Sequence, residues 1–249
     1  MNKLKNYFLI VLLIGATSCA ELMQIASSTM GDQPLTNTEI IAGLKQALAI
    51  GTDSSVARVS KTDGYFRDEL IKILLPPEAE IITKNLNRIP GGEKLLNDVV
   101  LRINRAAEDA AKEAAPIFIG SITSMTISDG LGILKGGDYA ATEYLKRTTS
   151  QQLFNLYQPK IKTSIDKKLI GNISTSESWN TLTGEWNKIA NSIIGQAAGF
   201  TPVNVKLDEY LTQKALDGLF LKIGEEEKKI RTDPVARVTD LLKRVFGAQ

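Results

Sequence analysis

From residue 35 onward, apolar positions recur at intervals of three and four, the period of one face of an α-helix. Ile40, Ile41, Leu44, Ala47 and Leu48 make the first such face, with Thr36 or Asn37 available to cap it. Val56 and Val59 prolong the stripe toward Asp63, where Gly64 is the expected left-handed stop and Tyr65 packs back across it. Gly51 permits a break midway. An apolar patch at 70–75 ends at Pro76 and Pro77, and proline at a first helical position predicts a helix over 78–88. The longest stripe spans 93–124, with Leu96, Val99, Ile103, Ala106, Ala110 and Ile117 on one side. Pro116 removes a ladder hydrogen bond and predicts a kink or interruption. Ala106, Ala107, Ala110, Ala111, Ala114 and Ala115 let a neighbour approach closely, so this helix is expected to be central and buried.

Asp129-Gly130 and the run from Lys135 to Asp138 punctuate the next stretch. Asp138 is the expected N-cap of a helix carrying Tyr139, Tyr144, Leu145, Leu153, Phe154 and Tyr157, which Pro159 bends or divides. A capped helix over 175–194 places Trp179, Leu182, Trp186, Ile189 and Ile193 on one seam. After a loop marked by Gly199 and Pro202, another helix opens near Lys206 with Leu211, Ala215, Leu216, Leu219, Phe220 and Ile223. Its last turns hold Glu225 with Lys229 and Glu227 with Arg231 at i,i+4, which reads as a solvated face. Asp233-Pro234 starts a final stripe of Val235, Val238, Leu242 and Val245. No sustained period-two alternation predicts a strand. The expected fold class is all-α, as a single multi-helix domain over 35–249.

The N-terminus follows a different pattern. Lys3 and Lys5 precede the apolar run 7–14, whose eight residues would rise only about 12 Å as a helix, too short to span a bilayer. It fits the apolar region of an export signal. Gly15, Ala16, Thr17 and Ser18 then lead to Cys19, the only cysteine. Small residues before a lone cysteine resemble a bacterial lipoprotein signal, in which cleavage before the cysteine is coupled to acylation of its sulfur and amine. Ala16 departs from the larger aliphatic residue commoner at that place. An ordinary signal cut near Ser18 would instead leave a free thiol, a liability in an oxidising compartment. The expected organisation is a signal at 1–18 and a lipidated Cys19 with a tether to residue 34. Ala20, where retention at the inner membrane would favour Asp, points by analogy to the outer membrane, facing the periplasm.

Composition narrows the chemistry. The 249 residues contain no His, which removes Ser-His-Asp and Cys-His catalysis and every His-ligated metal site. One Cys removes intrachain disulfides and Cys-rich metal sites. The formal charge of +2 resides in Lys3 and Lys5, so the chain beyond residue 18 is formally neutral and carries no footprint for nucleic acid. No cofactor or metal motif is present. Carboxylate, Lys, Tyr, Ser or Thr chemistry remains open, and Asp63, Arg105, Asp109, Asp138 and Asp217 are the polar positions whose convergence on one concave site would indicate it. Glu108 and Asp109 point about 100° apart on a helix and read as an ion-paired face with Arg105 and Lys112. Gly136-Gly137-Asp138 reads as a turn and cap rather than an anion cradle, because Asp138 would oppose the anion. Ser164-x-x-Lys167 lacks the companion motifs of penicillin-binding enzymes.

Several segments together resemble one bacterial family of secreted or lipid-anchored proteins known only as domain of unknown function 4197. They are 61–66 (Lys-Thr-Asp-Gly-Tyr-Phe), 74–79 (Leu-Leu-Pro-Pro-Glu-Ala), 104–111 (Asn-Arg-Ala-Ala-Glu-Asp-Ala-Ala) and 133–138 (Ile-Leu-Lys-Gly-Gly-Asp), with 214–220, 226–231 and 233–246. The likeness covers nearly all of 35–246. It implies an envelope location and one mainly helical domain, and it supplies no catalytic residue. The functional expectation is a cell-envelope lipoprotein held to the membrane by acyl chains on Cys19, whose all-α domain binds an envelope protein or ligand or serves a structural role. The alternatives are an envelope enzyme acting on glycan or peptide, and a carrier whose apolar ligand would sit in a cavity beside the Trp179/Trp186 seam.

Overall fold

The apolar stripes pair with one another, and each is buried by two or three others. The computed structural model describes residues 34–247. The expected signal and Cys19 lie outside the described residues, as does the tether up to residue 33. Ten α-helices occur among the described residues: α1 (Asn37–Val59), α2 (Glu80–Thr83), α3 (Gly92–Ala111), α4 (Ala114–Thr123), α5 (Ile127–Leu134), α6 (Ala140–Asp166), α7 (Thr175–Ala190), α8 (Ile193–Ala197), α9 (Leu207–Thr232) and α10 (Asp240–Gly247). The same residues contain no β-strand, only an isolated bridge between Ile170 and Ile173. From Asn37 onward the chain is one compact unit. The all-α class stands.

Helix α1 lies against α9, α4, α5 and α10, while α6 spans α9, α3 and α4, and α7 covers α3. Leu44, Leu48, Val59, Val99, Ile103, Leu145, Leu153, Ile161, Leu211, Leu219 and Ile223 form the dry interior. The alanines at 106, 107, 110, 111 and 114 are all buried, as their size predicted for a close-packed central helix. Phe118 and Phe220 meet edge to face, with centroids 5.2 Å apart.

Several boundaries differ from the sequence expectation, each for a local reason. The first helix ends at Val59, and the left-handed residue in the following turn is Asp63 (φ 69°) rather than Gly64. Gly64 is needed for space, because a Cβ there would lie 2.5 Å from the Val59 carbonyl oxygen. The helix expected over 78–88 is a 3-10 turn, the four residues of α2 and a second 3-10 turn. The long 93–124 helix is two, and Pro116 sits in the first turn of α4, so the break falls just upstream, where the proline cannot bond back. Asp129 does not punctuate: it closes a capping box with Thr126 at the start of α5. Ile193 leaves the tryptophan seam for the short α8 and is 89% exposed. Val235 and Val238 are exposed, so the last apolar stripe is carried by Leu242, Val245 and Phe246.

The largest departure concerns Asp138 and Glu227. Asp138 does not cap α6; it pairs with Lys228 at 3.2 Å. The residue at the cap position is Tyr139, whose side chain offers no cap. Glu227, expected on a solvated face, is buried, and its carboxylate accepts the Ala141 N–H (2.9 Å), the Thr142 N–H (2.8 Å) and the Thr142 hydroxyl (2.7 Å). These amides belong to the first turn of α6, which would otherwise lack partners. The same carboxylate holds Arg231 at 2.9 Å, and Arg231 donates to the Ile133 carbonyl at 3.0 Å. A side chain of α9 thus caps α6 and ties the end of α5. Glu227→Ala leaves the α6 amides and a buried guanidinium unpaired, and a loss of about 3–5 kcal/mol is expected. The chemical-denaturation midpoint measures it; a loss below 1 kcal/mol would mean that water replaces the carboxylate.

Candidate functional site

A groove of about 750 Å³ has the outer face of α9 as its floor. Tyr210, Lys214, Asp217, Leu221 and Gly224 run along that floor. One wall is the non-helical segment 70–74; the other is the start of α6, with Tyr139, Thr142, Glu143 and Lys146. The lining is mainly apolar, and Lys72, Lys146 and Lys214 set three cations against Glu143 and Asp217.

The segment wall is held by residues that present charge or amide to its backbone. Glu108, buried on α3, accepts the N–H groups of Tyr65 and Phe66, both at 3.1 Å. The Tyr65 hydroxyl donates to the Ala215 carbonyl of α9 at 2.8 Å. Gly218 admits this contact, since a Cβ there would meet the Tyr65 ring at 2.9 Å. Buried Lys222 reaches Asp68 at 2.7 Å. Asn104 receives the Ile73 N–H at 2.9 Å and returns its amide to the Ile73 carbonyl at 2.8 Å. Tyr210 donates to the Leu74 carbonyl at 3.0 Å, and burial raises its pKa, so the phenol keeps that proton. None of these placements had a motif of its own, although Asn104, Tyr65 and Leu74 all fall in the segments that carry the family likeness.

The five polar positions singled out in the sequence do not converge. Arg105 bonds Asp63 at 2.6 Å and Glu108 at 2.7 Å, rather than Asp109, and braces the turn that carries Tyr65. Asp109 accepts the Ser164 hydroxyl at 2.9 Å and the Lys167 ammonium at 2.6 Å, so the Ser164-x-x-Lys167 pair is committed to one carboxylate and neither member is aimed at the other. Nearby, the Tyr157 hydroxyl is buried without a hydrogen bond, and burial, then the Asp109 and Glu113 charges, raise its pKa and keep it neutral. Asp138 stands with Lys228, and only Asp217 of the five lines the groove. The tryptophan seam is filled: Trp186 is fully buried against Phe200, its ring N–H donating to the Thr201 carbonyl at 2.9 Å. Among the described residues no group of three acidic or thiol side chains gathers to hold a metal ion.

These ion pairs make stability respond to acid. The Arg105 hydrogen bond holds Asp63 below the usual 3.8. Burial pushes Asp109 upward, but the Lys167 and Ser164 hydrogen bonds and the Lys167 charge outweigh it and leave it lowered. At Asp98 the bonds from Arg102 and Ser178 likewise outweigh burial. A carboxyl lowered by folding contributes stability that is present above its unfolded value and lost as pH falls through the folded one. With no His to titrate above that range, the urea midpoint is expected to stay level from about pH 8 to 5 and to fall below about pH 4. Asp109→Asn should lower the plateau and flatten part of the acid limb. A slope between pH 8 and 5 would contradict this assignment.

Residues 34–247 match a family model described as "Protein of unknown function (DUF4197)". No curated protein and no solved structure shows significant similarity to the chain. With the match running from the start of the helical unit to the end of α10, the chain belongs to the DUF4197 family.

Proposed function

We propose that this chain is a binding protein of the cell envelope, exported by its N-terminal signal and anchored by acyl chains on Cys19, with the α9 groove as its ligand site. The observation that carries the binding role is the groove itself. It is a sizeable, mainly apolar channel with lysines at its rim, the size and composition of ligand sites in general. Its ligand is an elongated molecule with apolar parts for the floor and acidic groups for Lys72, Lys146 and Lys214. The enzyme alternative has lost its premise, since Asp63, Arg105, Asp109 and Asp138 serve as structural ion pairs and none of them lines the groove. The carrier alternative, tied to a cavity beside Trp186, meets a packed core instead.

The anchor rests on the order of lysines, apolar run, small residues and cysteine in residues 3–19. More than one acyl chain attaches a protein stably, and the formally neutral remainder adds no electrostatic pull toward anionic lipid. Ala20 supports placement at the outer membrane, facing the periplasm.

Two measurements test the two halves. In the native host, radiolabelled palmitate should enter the protein and be lost in Cys19→Ala; an unlabelled, soluble mature protein removes the anchor. In vitro, the anionic apolar dye anilinonaphthalene sulfonate should brighten on binding the folded protein. The double variant Lys146→Glu/Lys214→Glu, on exposed side chains, should weaken that binding at least tenfold. Dye binding indifferent to the charge reversal removes the groove as the site.

A further inference from the structure

At Ile73 the groove wall behaves as one strand residue that has no sheet. Ile73 gives both its N–H and its carbonyl to the one carboxamide of Asn104, as a strand residue does with a ladder neighbour. Upstream the chain is a turn, in which the Ile71 and Lys72 N–H groups both meet the Asp68 carbonyl. Across a trans peptide the carbonyl points opposite to the N–H that follows it. Because the Ile73 N–H and carbonyl face Asn104 of α3, the Lys72 carbonyl and the Leu74 N–H face away from α3. Lys72 and Leu74 both line the groove, and the Tyr210 hydroxyl on its floor meets the Leu74 and Leu75 carbonyls at 3.0 and 3.2 Å. Among the described residues, the Lys72 carbonyl and the Leu74 N–H have no hydrogen-bond partner. They flank Ile73, and a carbonyl and an amide so placed are what one residue of an added parallel strand engages.

We propose that the groove receives an extended, acidic polypeptide segment, one residue of which pairs in parallel-strand fashion with the Lys72 carbonyl and the Leu74 N–H. The inference rests on the groove being the binding site and names the class of its ligand. Backbone chemistry selects a peptide over an acyl chain, because a hydrocarbon covering this edge would dehydrate the Lys72 carbonyl and the Leu74 N–H without replacing their bonds to water. A peptide supplies both partners from one residue. Charge selects acidic side chains: Lys146 and Lys214 have no ion pair among the described residues, and both line the groove. Length agrees as well. From Tyr210 to Gly224 the floor of α9 rises about 21 Å, the span of about six extended residues. Alternate side chains of such a strand fall on the apolar floor of Phe220 and Leu221, and the others reach the lysine rim.

The test uses the purified full-length chain and the fluorescein-labelled peptide Asp-Val-Glu-Val-Asp-Val. Anisotropy should saturate, and exchanging the acids for lysines should abolish binding. N-methylation of the peptide amides, one at a time, should weaken binding at least tenfold at the amide that reaches the Lys72 carbonyl. These changes alter the ligand and leave the protein's folding untouched. Hydrogen exchange followed by NMR should show the Leu74 amide protected in the complex. Peptide binding without that protection, and indifferent to N-methylation, overturns strand addition. Binding of the dye without binding of the peptide overturns the peptide proposal while the groove stands; failure of both removes the groove too. Binding of monomeric oleate in place of peptide assigns the groove to lipid and overturns the proposal.

Discussion

The carboxylate of Glu227 fixes how the two longest helices meet. Helix α6 begins without a side-chain cap of its own, and its first amides are satisfied by a residue of α9. Two amides, a hydroxyl and a guanidinium occupy the lone pairs of one buried carboxylate, so the desolvation cost of the charge is offset only while all of them stay in place. The α6 start cannot slide along α9 without breaking the set. Because Tyr139, Thr142, Glu143 and Lys146 lie on those first turns, the same contact positions one wall of the groove.

The opposite wall is fixed in another way. Residues 65–74 form no helix and join no sheet; turn bonds such as those from the Ile71 and Lys72 N–H groups to the Asp68 carbonyl serve part of their backbone, and other groups take partners from elsewhere. Glu108, Asn104 and Tyr210 supply them, and Lys222 holds the intervening turn through Asp68. Two helices, α3 and α9, thereby hold one irregular segment at defined points. For the binding role proposed, restrained walls mean that the groove need not first order itself, which lowers the entropic cost of association.

Much of the fold was legible in the pattern of apolar positions, because a stripe with helical period has to be buried whatever covers it. The stripes of α1, α3, α7 and α9 are core stripes in the structure, and the alanine-rich part of α3 is as deeply buried as its small residues imply. What the pattern missed was long-range satisfaction of backbone groups. Asp138 has the local chemistry of a cap, and Glu227 the local chemistry of an exposed i,i+4 pair. Which of them reached the α6 amides depended on how α9 crosses, which no local window contains. The groove was illegible for a related reason: its residues come from 70–74, 139–146 and 210–224, and its non-helical wall carries no period that marks it. Of the groove residues only Leu74, Lys214, Asp217, Gly218 and Phe220 fall in the segments that carry the family likeness, which says nothing of what they do.

Around the groove the usual partition of side chains is inverted. Glu108, Lys222 and Glu227 are buried charges, whereas Leu70, Leu74 and Leu221 are exposed apolar residues. Buried charge is costly and exposed scattered leucine is common, so neither alone would mean much. Their coincidence means more, because each buried charge is tied to a wall: Glu108 to the backbone of Tyr65 and Phe66, Lys222 to Asp68, Glu227 to the start of α6. Packing apolar residues at those sites would suit the core but would release the walls. Folding the exposed leucines inward would bury apolar area but close the groove. A sequence shaped for stability alone would be expected to do both. That it does neither is a local conflict with global packing, of the kind the proposed binding role would require.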